Sequence, residues 1–299
     1  MTKYKLKLRE EIDINKLNFI LLSRNCNAIE LLKNNLNKID SYYLSSNLNA
    51  IELLKENPNK IDWFSLSRNP NAIELLKKNL DKINWFELSK NPNCLEILKN
   101  YQDKIEWFYL SSNHIAINFI KNNIDKINWI ELSCNYAAIE LLKENPEKIN
   151  WNELSANPNA IELLKNNPSK INWNKLSFNT NPEAIKLFKS NPDKINWSYL
   201  SQNPNAIDLL KDNQDKINWS YLSGNYNAIE LLKKNPDKID WDMISLNPSI
   251  FTYPYKEIKE NFEILGEEII QKALHPKRML RLMELYGEDE IYKCYFDEE

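Results

Sequence analysis

Two histidines and four cysteines are the side chains of this chain that could most readily do acid–base, nucleophilic or metal chemistry near neutral pH. Their spacing points away from all three. His114 and His275 lie far from any cysteine and outside any HExxH pattern. His114 takes a position that is proline in most of the sequence repeats described below, and His275 precedes Pro276, so both are expected at helix starts. Cys26, Cys94, Cys134 and Cys294 form no CxxC pair, which excludes the usual zinc spacings and gives no disulfide framework. Cys94 replaces a small helix-face residue and is expected to be buried and inert. Cys26 and Cys134 fall in turns with no cation beside them to lower their pKa. The acidic side chains are periodic rather than paired: Glu30, Glu52, Glu74, Glu96, Glu140, Glu162 and Glu230 share one slot, three residues before a lysine in most copies. That is the pattern of i,i+3 ion pairs on a solvated helix face, not of a unique acid/base pair. Only three glycines occur, Gly224, Gly266 and Gly287, too few for a Rossmann or Walker phosphate loop. The expectation is a non-enzyme with no catalytic residue, cofactor or metal.

The elements that carry these residues follow from one repeat. Tryptophan occurs at 63, 85, 107, 129, 151, 173, 197, 219 and 241, at steps of 22 with a single step of 24. Run backwards, the register puts Ser41 and Phe19 in the tryptophan slot. Units begin at Lys16, Lys38, Lys60, Lys82, Lys104, Lys126, Lys148, Lys170, Lys194, Lys216 and Lys238, which makes ten full copies and a truncated eleventh. Self-similarity at this period reads as a solenoid.

Residues 148–169, KINWNELSANPNAIELLKNNPS, contain two helical signals. Asn157-Pro158 places an N-cap and a first-turn proline before Ala160-Ile161-Glu162-Leu163-Leu164, and Asn167-Pro168 ends that helix. A second helix is expected after Ser169, Asp81, Asp193 or Asp237, running through Lys-Ile-Asn-Trp to Leu-Ser. Helices this short are stable only when packed on neighbours. Stacking then builds one continuous core, and the tryptophans are expected to be its bulky filler, with recurring asparagines accepting the indole N–H. At a layer spacing of roughly 8–10 Å the array is expected to form a rod or arc on the order of 100 Å long. Asn69, Asn91, Asn113, Asn157, Asn203 and Asn225 are expected to cap turns.

The domain reading is an N-terminal cap over 1–15, tandem repeats over 16–250 and a C-terminal helical cap over 251–299, with helix breaks near Gly266, at His275-Pro276 and at Gly287. Two extra residues near 178–181 read as a bulged loop. The fold class is all-α: an α-solenoid of about ten 22-residue helix-turn-helix repeats with a C-terminal helical cap.

Net charge is −3, but residues 1–10 carry +3 and residues 251–299 carry −5, leaving the middle almost neutral. Nucleic-acid binders usually show a basic footprint, so RNA is the less favoured partner. No stretch reaches the length of a membrane span, and the basic N-terminus has no apolar run behind it, so an intracellular location is expected.

Repeat proteins usually bind through the positions that vary between copies. Two residues beyond the tryptophan slot the column reads Leu21, Tyr43, Ser65, Glu87, Tyr109, Glu131, Glu153, Lys175, Tyr199, Tyr221 and Met243. Five beyond it the column includes Arg24, Arg68 and Lys90. Tyrosine and arginine are enriched at binding hot spots, which makes Arg24, Tyr43, Arg68, Lys90, Tyr109, Tyr199 and Tyr221 the candidate partner-binding residues.

The units at 69–77 (Asn-Pro-Asn-Ala-Ile-Glu-Leu-Leu-Lys) and 81–89 (Asp-Lys-Ile-Asn-Trp-x-x-Leu-Ser) resemble the short helical repeats of giant DNA viruses of amoebae, the mimivirus group. The flanks Leu8–Leu17 and Ala273–Arg278 are similar as well, and 46 Asn with 34 Lys against 5 Arg fits an AT-rich genome. The resemblance implies a viral repeat protein in host cytoplasm or virion, with no catalytic residues to carry over. The expected function is a non-enzymatic protein–protein interaction scaffold for a viral or host protein. The alternatives are an RNA-binding helical repeat reading one unit per base, a structural virion component, or, by fold analogy alone, a scaffold of translation or ubiquitin complexes.

Overall fold

A computed structural model of the chain describes residues 5–286. It has two compact units: Leu8–Phe251, which holds all the repeats, and a smaller one made of the described residues of Met1–Lys7 and Thr252–Glu299. The fold is an all-α repeat solenoid, with one two-stranded pairing, β1 (Lys7–Leu8) with β2 (Phe251–Thr252).

Nearly every repeat adds a 3-10 turn before the first of the two helices expected. A short 3-10 turn such as Leu80–Lys82 is followed by an extended residue, Ile83, at φ −67° and ψ 128°. The next residue, Asn84, caps a separate helix, Trp85–Ser89, by accepting from the Glu87 N–H at 2.9 Å. The Lys-Ile-Asn-Trp stretch is therefore not continuous helix; Asn or Asp before the tryptophan slot restarts it, as Asp62 does for Trp63–Arg68. We call this the tryptophan helix. The second, or leucine, helix (Ile161–Lys165 for example) follows a 3-10 turn over Pro158–Ala160, whose cap Asn157 accepts from the Asn159 N–H at 3.0 Å.

The core is built from small and aliphatic side chains. Leu88, Leu98, Leu154, Leu164 and Ala160 are fully buried, and so are the serines four residues beyond each tryptophan slot, such as Ser67 and Ser89. The tryptophans are not the core filler: all nine are half-buried. Each begins its helix at the edge of the buried face, and a lysine of the next unit lies over several of the rings. Lys170 is 4.4 Å from the Trp151 ring centre and Lys238 is 4.4 Å from that of Trp219. Such cation–π contacts contribute about 0.5–1 kcal/mol each at exposed sites.

Neighbouring units are tied by buried asparagines. Asn25, Asn47, Asn69, Asn91, Asn113, Asn135, Asn157, Asn179, Asn203, Asn225 and Asn247 are all buried. Asn91 Nδ2 donates to Ser67 O at 3.0 Å and to Asn69 O at 2.9 Å, both in the preceding unit, while its Oδ1 accepts from its own Asn93 N–H. These carboxamides serve the backbone, not the indoles. A buried serine hydroxyl adds a second tie, as Ser67 Oγ accepts from the Asn84 N–H at 3.0 Å. The expected Glu–Lys pairs also form on the surface, Lys55–Glu52 at 2.7 Å and Lys143–Glu140 at 2.8 Å, with exposed pairs of this kind worth a few tenths of a kcal/mol.

The same ties join the first unit to the last. Asn25 Nδ2 donates to Ser245 O and Asn247 O at 3.0 Å each. The Asn18 N–H donates to Ser245 Oγ at 2.9 Å, and Lys16 lies 5.0 Å from the Trp241 ring. The array is therefore a closed ring and not the rod or arc expected from its length. The truncated eleventh unit is completed by the N-terminal segment. Residues 238–250 supply its tryptophan helix (Trp241–Ser245), and residues 8–13 lie where its leucine helix would be. There Ile12 lines a small apolar cavity with Ile229, Leu232 and Ile244, Glu11 meets Lys233 at 2.7 Å, and the Arg9 N–H donates to Ile250 O at 2.9 Å. The N-terminal residues thus close the ring instead of covering an open end.

In the 24-residue unit residues 179–181 lie outside regular structure, and the leucine helix runs from Pro182 to Ser190, capped by Asn181. In the smaller unit one helix, Tyr255–Ala273, passes through Gly266 unbroken, and a second, Pro276–Tyr286, begins after His275 as expected. Gly287 and Cys294 lie outside the described residues.

Candidate binding surface

The tryptophan helices of adjacent units pack closely on one another, whereas the leucine helices stand further apart. The former therefore line the inside of the ring. Within each tryptophan helix the third and fourth residues beyond the tryptophan slot point into the core. At 100° per residue, the first, second and fifth face the opposite way, into the lumen. Eleven layers at roughly 8–10 Å give a circle about 28–35 Å across at the helix axes, which leaves about 18–25 Å free inside once a helix width of ~10 Å is removed.

Four of the seven predicted residues converge here. Arg24, Tyr43, Arg68 and Lys90 line one groove of about 400 Å³ that spans the first four units, together with Tyr42, Phe64 and Glu87. Tyr109 continues it, with its ring 4.4 Å from the Lys90 ammonium and 4.4 Å from the Phe86 ring. Tyr199 and Tyr221 belong to the ninth and tenth units, away from the groove; Tyr199 instead lies 5.1 Å from Phe178. Lys90 is held by the buried Glu87 at 2.6 Å and lies 4.1 Å from the Phe86 ring. Arg24 and Arg68 are both exposed, and neither guanidinium has an ion pair or hydrogen bond among the described residues.

Sequence reasoning passed over a third column, the residue next after the tryptophan slot. In six consecutive units it is Ile20, Tyr42, Phe64, Phe86, Phe108 and Ile130, each 39–52% exposed. In the other five it is Asn152, Asn174, Ser198, Ser220 and Asp242. On that polar arc the residue bonds the helix cap of the next unit: Asn196 Nδ2 donates to Asn174 Oδ1 at 3.0 Å, and Asn18 Nδ2 donates to Asp242 Oδ1 at 2.9 Å. The apolar arc offers no such bond, so half the ring presents exposed apolar side chains. The signal was present in the sequence as an apolar-to-polar switch at one fixed phase.

Further round the inner surface lie Glu131, Glu153 and Cys134. Burial, with the Glu153 charge beside it, raises the Glu131 carboxyl above the usual range. Burial pushes the Cys134 thiol up to about 11 and the Cys94 thiol up to about 12. Native protein at pH 8 is accordingly expected to leave Cys94 unalkylated by iodoacetamide while denatured protein is modified fully, as peptide mass spectrometry would read. Rapid native labelling of Cys94 would contradict its burial. His114 stacks on Tyr136 with ring centres 4.2 Å apart, and burial lowers its pKa. Among the described residues no group of histidine, cysteine and carboxylate side chains could hold a metal ion, and no helix is long and apolar enough to cross a membrane.

No family model, curated protein or solved structure matches the chain.

Proposed function

We propose that the chain is a non-enzymatic scaffold that holds a protein segment against the inner surface of its ring. The observation that carries this reading is the arc of exposed Ile20, Tyr42, Phe64, Phe86, Phe108 and Ile130 beside the varying residues of the groove. Contiguous exposed apolar surface rimmed by polar groups marks interaction sites on folded proteins. Tyr42, Tyr43, Arg24 and Arg68 are of the residue types that dominate binding energy at such places. The thiols with raised pKa and the tyrosine-stacked His114 favour binding over nucleophilic chemistry. The resemblance of the units to giant-virus repeats makes a viral or host protein the partner proposed.

Affinity capture tests the reading. Wild-type protein and a Tyr42→Ser, Phe64→Ser, Phe86→Ser variant are incubated with lysate from infected amoebae, and retained proteins are quantified by mass spectrometry. All three residues are exposed, so the variant is expected to keep its helical circular dichroism and its melting temperature within a few degrees. Proteins enriched by the wild type should fall at least tenfold on the variant. An unchanged protein set, or retained material that nuclease releases, would sink the proposal.

A further inference from the structure

The groove's composition also specifies the chemistry of its occupant. Resting on the scaffold reading, we propose that the Arg24–Arg68 groove takes an extended peptide segment with two carboxylates, one on each guanidinium, and apolar side chains between them against Tyr42 and Phe64.

Arginine is scarce in this chain, 5 residues against 34 lysines. Three lie in the ring: Arg9 is used at the seam, where its Nε donates to Ser249 O at 2.7 Å, and the other two line the groove. A guanidinium presents a planar fork that pairs with a carboxylate through two parallel bonds, which a lysine ammonium does not. Both forks are exposed and unpaired among the described residues. Lys90 contributes no free charge, because Glu87 binds it at 2.6 Å, so the two arginines leave the groove with two uncompensated positive charges. Arg24 and Arg68 occupy the same position two units apart. That is on the order of 16–20 Å at the usual helix spacing, the reach of about five or six residues of extended chain at ~3.3 Å each. The rings of Tyr42 and Phe64 stand between them in sequence register and are half exposed, offering an apolar floor. A continuous polyanion such as RNA is disfavoured on the same inner surface, because Glu131 follows in the sixth unit, whereas Glu153 in the seventh is paired with Lys175 at 2.9 Å. A short acidic segment ends before reaching Glu131.

Fluorescence anisotropy with the full chain tests this. The probes are a labelled dodecapeptide with two glutamates five residues apart and phenylalanines between them, and otherwise identical peptides carrying glutamine or lysine in place of glutamate. The glutamate peptide is expected to bind at least tenfold more tightly than the glutamine peptide, and the lysine peptide more weakly still. In the Arg24→Ala, Arg68→Ala variant the glutamate preference should vanish while weak glutamine-peptide binding persists. Phe64→Ala should weaken both by a similar factor. Equal binding of the glutamate and glutamine peptides, or a preference that survives loss of both arginines, overturns the carboxylate clamp. If Phe64→Ala then still abolishes binding, the scaffold reading stands without it. Binding by none of the peptides overturns the clamp too, and so does a labelled oligouridine whose capture depends on the two arginines.

Discussion

Replacing Ile12 by Asp is expected to lower the melting temperature by on the order of 10 °C, by calorimetry, although the residue lies near one end of the chain. In an open solenoid such a position would sit in a fraying cap, and its loss would cost little. Here Ile12 is 6% exposed and lines a small apolar cavity with Ile229, Leu232 and Ile244 of the last two units. Putting an unpaired carboxylate there costs roughly 3–5 kcal/mol, and a ring of this size shifts by about 2–4 °C per kcal/mol. Closure itself can be read directly. Asn18 Nδ2 and Asp242 Oδ1 are 2.9 Å apart, so a short bismaleimide should join Asn18→Cys to Asp242→Cys within one molecule. Ile12→Asp should reduce that yield. A rod on the order of 100 Å long would give no such cross-link at any concentration of monomer.

Asn91→Ala is the second substitution with a large expected effect. It leaves Ser67 O and the Asn93 N–H without their partners, and Asn69 O with the Ala72 N–H alone, at a residue with no exposed surface. Each buried polar group left unpaired costs about 1–3 kcal/mol, so a total near 3–5 kcal/mol is expected by denaturant melts. Asn91→Asp is nearly isosteric and should be worse at pH 7, because it places a charged acceptor against two carbonyl oxygens. Burial disfavours the ionised form, so its folded pKa is raised. That penalty is therefore present at neutral pH and is relieved as pH falls toward 4, where the neutral acid can donate one bond. An Asp variant as stable as wild type at pH 7 would remove the asparagine ladder from its central role.

Much of this molecule could be read from its residues. The 22-residue phase, the Asn-Pro helix starts, the Glu–Lys surface pairs and the break at His275-Pro276 follow from local rules, and local structure obeys them. The restart of the helix at Asn84 or Asp62 was legible too, since Asn or Asp stands directly before eight of the nine tryptophans, with Glu106 before Trp107. The half-burial of the tryptophans was not, because hydrophobicity alone does not say whether a large ring fills the core or lies along its edge under a lysine. Ring closure was hidden for a different reason. Curvature comes from a small difference in spacing between the tryptophan-helix and leucine-helix sides of each layer, and no pattern of apolar residues encodes that difference. The clue was a half unit after Lys238 together with a short segment before Lys16 that reads, from sequence, as a cap. Of the site, the second and fifth columns identified the groove's charged and tyrosine residues, while the adjoining arc from Ile20 to Ile130 went unnoticed because only the tryptophan and the more polar columns were followed.

The composite eleventh unit gives the gene a counting rule. A solenoid with free ends tolerates an added or lost fraction of a copy, because the terminal layer simply changes. In this ring the two ends together must always make one whole layer. Adding one complete copy alters each step only from about 33° to about 30°, small beside the ordinary scatter of helix packing. Adding half a copy brings two leucine helices face to face at the seam and leaves Asn25 without the carbonyls it binds. Length can change here only in whole teeth, as on a gear.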